Sequence, residues 1–392
     1  MHRLLKKRFR PTQINKLGLV DLFCVLGIAM VGTIWAVYLE SYLKNPAYVG
    51  FVTTLFTITG GLAYIFLIPI IQKRSKSALF ATALFLYFVF YLLFANFKDI
   101  YVIIFLGACL AVVASLRIST VGIIVGDKSD KESLPKNEGF LYTIMNFSWL
   151  VGPLLAGFIA EKYGVTEVFI FAAGFMLIAV VLFKIFKIRD NRIEKKADEK
   201  FIQVVKKFFS KKERRIAYVM GGGICLWWAF IYTYIPIYII ENGFSDIILG
   251  YFLFAAVLPL ILLEYRFGEL ATRKGFRKVF FWGYSIVATC AFACFFMPNL
   301  YFILGTIILA SIGMAMLEPT TEAYFLELIK KHERDRYYGI YNTSIEVFYA
   351  SATLISALVL LVLPFKFLFL LYTILMLTLA LISLKTKRIL KA

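Results

Sequence analysis

The sequence predicts an all-α membrane protein, with twelve spanning helices arranged as two pseudo-symmetric six-helix bundles. Three observations carry this. The 392-residue chain is 61% hydrophobic and only 17% charged, against roughly 45–50% apolar and about 25% charged residues in a soluble globular chain. That much apolar surface exceeds what a water-soluble core can hide. Twelve apolar runs approach the roughly 20 residues a spanning helix needs. The two halves of the chain also echo each other at a constant offset of 200 residues.

The first six runs fall at 17–39, 47–71, 78–95, 100–126, 139–160 and 165–186. The first follows a basic start and could be taken for a signal peptide. At 23 residues it is too long for a signal core and lacks a small-residue cleavage site, so it reads as a retained helix. A polar stretch at 188–214 follows. It reads as a solvated basic linker, partly a surface amphipathic helix carrying Phe201, Val204, Val205, Phe208 and Phe209. The last six runs fall at 216–240, 246–267, 279–297, 300–326, 338–363 and 365–384. The expected units are therefore an N-terminal bundle at 1–187, a linker at 188–214 and a C-terminal bundle at 215–392.

The repeat is visible residue by residue. Tyr38 matches Tyr238, Gly50 matches Gly250, Asp127 matches Glu327, and Gly139 matches Gly339. Two parallel copies with a cavity between them form a plan suited to carrying a substrate bound near the bilayer midplane.

Charge fixes the expected orientation. The outer loops hold only Lys44, Lys98, Lys162 and Lys366, and Arg117 lies inside a helix. Every other Lys and Arg of the 43 falls on the side of the two termini. By the positive-inside rule both termini are cytoplasmic, and the protein sits in the cell membrane. The net charge of +19 is then a topology signal and a contact with anionic headgroups, not a nucleic-acid footprint. Cys24, Cys109, Cys225, Cys290 and Cys294 lie in apolar runs without ligand spacing, and His2 and His332 lie in charged flanks. No metal site, cofactor or catalytic centre is expected, and the chain does not read as an enzyme.

Two segments resemble known signatures. Between helices 8 and 9, Gly268, Leu270, Arg273, Gly275, Arg277 and Lys278 follow the loop signature G-x-L-a-D-R-x-G-R-K of the major facilitator superfamily, with Thr272 in place of the aspartate. Gly268 would permit close helix packing and Gly275 a tight turn. Arg273, Arg277 and Lys278 would reach helix-end carbonyls and acids, as a gating latch. In helix 5, Gly139, Ser148, Gly152, Pro153, Ala156 and Gly157 follow the superfamily's antiporter signature, with Ser148 and Ala156 replacing glycines. Small residues there allow close helix approach and Pro153 a kink. The resemblance covers residues 15–385. It implies the major facilitator fold and, through the helix-5 motif, a drug/proton antiporter-like exporter.

Ionisable groups at membrane depth are functional candidates by default. Here they are Asp21, Arg117, Glu264, Arg266, Glu318, Glu322 and Glu346. Counting residues from the helix ends places Arg117, Glu318 and Glu346, with Asn146, in one layer about 12 Å from the terminal side. One arginine facing two glutamates would leave a carboxylate free to exchange protons. Asp21, Glu264, Arg266 and Glu322 lie nearer the interface, where snorkelling and helix-end ion pairs account for most charges. Trp35, Trp228 and Tyr232 are candidates for an aromatic pocket holding an amphipathic or cationic ligand. Tyr38 and Tyr238 read as interfacial belt residues.

The expected activity is proton-coupled export of a small molecule by alternating access, by a monomer in the bilayer. Two other readings stay open: a proton-coupled uptake symporter, and a non-transporting sensor on the same fold.

Overall fold

The computed structural model describes residues 12–129, 134–188, 201–330 and 333–387. His2, His332, the basic residues before Thr12 and the linker residues 189–200 lie outside this set. Among the described residues all regular structure is helical, and twelve helices are long and apolar enough to cross a membrane. They are α1 Gln13–Leu43, α2 Pro46–Phe66, α3 Lys76–Asn96, α4 Ile100–Asp127, α5 Leu134–Tyr163 and α6 Val165–Phe186. Then come α7 Lys212–Glu241, α8 Asp246–Lys274, α9 Phe276–Phe296, α10 Leu300–Leu328, α11 Arg334–Leu360 and α12 Lys366–Ser383.

Short polar residues start many of these helices. The first backbone N–H groups of a helix have no partner within it, so a side-chain oxygen supplies one. Thr12 accepts from the Asn15 N–H at 3.2 Å. Asn45 accepts from Ala47 at 2.9 Å, with Pro46 at the first helical position. Asp99 accepts from Tyr101 and Val102 at 2.9 and 3.0 Å. Asn299 accepts from Tyr301 at 2.9 Å.

The helices extend beyond several apolar runs. α1 begins at Gln13, four residues before its run, because Thr12 caps it. The segment expected as a loop at 268–278 is nearly all helix. α8 continues to Lys274, α9 begins at Phe276, and only Gly275, with φ 85°, stands between them. Few residues other than glycine adopt that backbone at low cost. The second run divides instead: α2 stops at Phe66 and a short helix, Ile68–Lys73, follows. α7 is also irregular. It carries a π-helical turn at Phe230–Tyr234, just before Pro236.

Packing repeats between the halves. α1 packs on α5 and α6, α2 on α4, and α3 on α4 and α6; α7 packs on α11 and α12, α8 on α10, and α9 on α10 and α12. Each half has its own buried cluster, crossed by one residue from the other: Ile237 joins the first and Val37 the second. The amphipathic helix expected in the linker spans Phe201–Ser210. Phe208 is fully buried against Tyr218, Phe325 and Tyr337, so its apolar face seals the second half.

The halves meet chiefly through two pairs that correspond under the repeat, α2 with α11 and α5 with α8, and also where α1 meets α7. The two pairs meet toward the ends away from the termini. A Cβ added to Gly250 would stand 2.6 Å from the Pro153 carbonyl oxygen, and one on Gly157 would stand 2.9 Å from the Gly250 Cα. The Thr54 and Thr353 hydroxyls are 2.7 Å apart, and the Tyr234 hydroxyl donates to the Thr353 carbonyl at 2.6 Å. Toward the terminal side the described glycines make no such approach to the other half. A Cβ on Gly122, Gly126, Gly139, Gly268 or Gly339 would meet nothing within 4 Å. Among the described residues the close contacts between the halves thus gather toward the loop side.

Candidate functional site

The region between the halves, on the terminal side of these contacts, holds the charges singled out from the sequence, in a different pairing. Arg117 on α4 reaches Asp21 on α1, Nη1 to Oδ1 at 3.0 Å. It does not meet Glu318 or Glu346. The reason lies in α1: starting at Gln13, it places Asp21 a turn deeper than its run implied, and Asp21 is only 6% exposed. The Tyr87 hydroxyl and the Cys24 thiol approach the same guanidinium. The arginine's charge is thus met within the first half.

The acids of the second half are arranged otherwise. Glu318 on α10 is half-buried, and its enclosed Oε2 has no hydrogen-bond partner among the described residues. Glu346 on α11 faces α2, where a Cβ on Gly61 would lie 3.6 Å from its own Cβ. Tyr64 of α2 is the electrostatic neighbour of both Glu346 and Arg117. Glu322 accepts a hydrogen bond from Tyr338 at 2.6 Å. Tyr142 on α5 sits in the field of Glu322, Glu318, Glu138 and Glu264, and it is 52% exposed. Asn146 is half-buried one turn further along α5, and Arg266 is exposed.

Of the aromatic candidates, Trp228 and Tyr232 lie together with centroids 5.7 Å apart. Tyr232 also meets Trp149 of α5 at 5.2 Å, edge to face, so this contact bridges the two halves. Trp35 is elsewhere. It packs against Phe94, Phe56 and Phe169 in the first half's core, because its face of α1 turns toward α3 and α6. Tyr38 is 2% exposed and donates to the Phe94 carbonyl at 2.8 Å, so it is a core residue and not part of an interfacial belt. Trp149, Tyr142, Glu138 and Tyr64 were missed from sequence. Trp149 had a signal, since it adjoins Ser148 in the helix-5 motif.

That motif packs as small residues should at most of its positions. A Cβ on Gly152 would stand 2.6 Å from the Ala29 Cβ of α1, and Gly157 meets Gly250. Ser148 bonds back to the Ile144 carbonyl at 2.9 Å. Gly139 has open space around it. In the 268–278 segment Gly268 is likewise open and packs on no neighbour. Arg273 pairs within its own helix with Glu269 at 2.6 Å. Arg277 donates from Nε to the Thr386 carbonyl at 3.1 Å, which ties α9 to the end of α12. Lys278 is exposed.

Among the described residues no cluster of His, Cys, Asp and Glu is grouped to hold a metal. The site brings together ionisable and aromatic side chains of the two halves.

Comparison with known proteins agrees with this architecture. An MFS-type transporter of Methanocaldococcus jannaschii, itself uncharacterised, is 22% identical over 333 residues, which cover 82% of this chain and 84% of that protein. Solved structures at 9–11% identity share the fold. A POT family transporter in complex with 5-aminolevulinic acid superposes with a TM-score of 0.79, covering 94% of each chain. The nucleoside transporter NupG superposes with a TM-score of 0.76, covering 96% of this chain and 100% of that one. A bacterial homologue of the lysosomal transporter Spinster, solved inward-facing and unoccupied, superposes with a TM-score of 0.74, covering 95% of each chain. The sequence profile of the Major Facilitator Superfamily matches residues 17–265 and 257–389, nearly the whole chain, and the protein belongs to that superfamily of membrane transporters.

Proposed function

We propose that the protein is a proton-coupled secondary transporter that exports an amphipathic organic cation. The observation that carries this reading is Glu318. Its carboxylate has an enclosed oxygen lacking any hydrogen-bond partner among the described residues. A buried charge needs a counter-charge or a donor. The arginine placed in the same layer is paired with Asp21, so no described side chain satisfies Glu318, and in this reading the group that does is a ligand. A proton and a cationic ligand can each serve, and a site that holds one or the other exchanges them.

Glu138, Glu264, Glu322 and Glu346 extend the negative surface around the same site. Trp149, Tyr232 and Trp228 supply ring faces and edges beside it, suited to a cation with an apolar body. In this reading residues 1–187 and 215–392 are the two rocking units, joined by 188–214. Both termini are cytoplasmic in the cell membrane and the working unit is a monomer. The superposition with an inward-facing Spinster homologue supports placing the terminal side toward the cytoplasm.

The test is counterflow and pH-driven flux of a fluorescent lipophilic cation in proteoliposomes. Glu318→Gln carries the proton's effect permanently. It should abolish flux driven by a pH gradient and weaken cation binding at least tenfold. Unchanged pH-driven flux in both Glu318→Gln and Glu346→Gln would show that the carboxylates are structural. Accumulation of the cation inside right-side-out vesicles would reverse the assigned direction.

A further inference from the structure

A second site lies away from the first. Between the end of α8 and the start of α9 the surface sinks into a basin of 770 Å³. Four cations stand around it: Arg273, Lys274, Arg277 and Lys278. Arg273 shares its charge with Glu269, and Arg277 is drawn to the Thr386 carbonyl. Lys274 and Lys278 are exposed, on either side of the Gly275 turn. The floor is apolar, with Val279 of α9 and Met316 of α10 both buried in it. Trp282 completes the wall one turn beyond Lys278 and is 59% exposed.

Depth orders these features along one line. The cations lie at the helix ends, where spanning helices leave the bilayer. Trp282 lies one turn inward, where an indole ring sits at the edge of the hydrocarbon. Its helix packs against α10 and α12 and away from the first half, so the basin opens sideways. A ligand that fits must carry negative charge at the end that meets the lysines and an apolar chain at the end that meets Trp282. A basic hollow between spanning helices at the membrane surface suits the headgroup of an acidic lipid.

We propose that this basin binds one anionic phospholipid, its phosphate between Lys274 and Lys278 and an acyl chain along Trp282 on the outer face of α9. The bound lipid would bridge α8 and α9 at their single-residue turn, beside the Arg277 tie to α12. It would therefore hold the terminal ends of three helices of the second half together.

The experiment is thermal unfolding of the purified protein titrated with phosphatidylglycerol or phosphatidylcholine in mixed micelles, since a ligand of the folded state raises the melting temperature by mass action. Phosphatidylglycerol should stabilise the wild type and phosphatidylcholine should not. Lys274→Gln with Lys278→Gln should weaken the apparent affinity on the order of thirty-fold, taking about 1 kcal/mol for each lysine near the surface. Trp282→Ala should weaken it too while the charges remain. Native mass spectrometry of the wild type gives a reading independent of any variant: one phosphatidylglycerol should stay bound at energies that strip phosphatidylcholine. An equal loss from Lys73→Gln with Lys184→Gln, on the first half, would mean general surface charge and overturn the site. Equal stabilisation by inorganic phosphate would mean an anion site with no lipid specificity and would overturn it as well.

Discussion

Asp21 and Arg117 show what one ion pair does in a low-dielectric interior. Each is nearly enclosed, and neither would hold its charge there without the other. Removing one partner of a buried pair typically costs about 3–5 kcal/mol, whereas replacing both with apolar groups is often neutral. Asp21→Ala should therefore lower the melting temperature sharply. Asp21→Ala with Arg117→Leu should recover most of it while cation binding persists. If the single variant melts like the wild type, the pair is not structural. The residues of this site were legible from sequence as charges in apolar runs. Their partners were not. Depth counted along a helix depends on where the helix starts, and Thr12 moved that start back by four residues; which way each helix faces is set by its packing on the others, which one sequence does not show.

The same limit shows in whole elements. Hydropathy found all twelve spans, because burying or exposing a full turn of apolar residues to lipid dominates every local preference. It misplaced the boundary between α8 and α9, since Glu269, Arg273 and Lys274 are strong helix formers and extend α8 past its apolar run. The α5–α8 contact was only half legible. The small residues of helix 5 implied a close approach without naming the helix approached, and Gly250 proved to be the partner of Gly157. Gly250→Val would push a branched side chain against the Pro153 carbonyl. Overpacking of this kind costs about 1–3 kcal/mol, and here it falls on the state closed at the loop side. The variant should shift the population toward the opposite state. A cysteine at position 247 should then react faster with a membrane-impermeant thiol reagent applied from the loop side; equal labelling rates would show that the contact does not gate.

At the scale of the molecule, the repeat read from paired residues such as Gly50 and Gly250 reappears as one pattern of helix contacts used twice. What the repeat could not say is which way the two halves tilt. That follows from cross-half contacts such as Thr54 with Thr353, whose hydroxyls are 2.7 Å apart. With the native cysteines replaced, Thr54→Cys and Thr353→Cys should cross-link under mild oxidation and stop transport, and a reductant should restore it. Full transport by the cross-linked protein would show that these helices need not part during the cycle.

The π turn of α7 has a mechanical consequence. It holds one more residue than the α-helical winding on either side; Trp228 lies just before it, Tyr232 lies within it and Tyr234 is its last residue. Trp228 and Tyr232 border the candidate site, while Tyr234 bonds across to α11 toward the loop side. If the surplus residue passes along the helix, each residue it passes over turns by about 100°. Rotation of the ligand-facing rings and release of the Tyr234 bond would then be one motion, a ratchet of a single residue. Pro236, which lacks an N–H, offers no hydrogen bond to resist it. Pro236→Ala restores that donor, so it should slow the turnover of the cycle more than it changes ligand affinity, measurable as a fall in exchange rate at saturating cation.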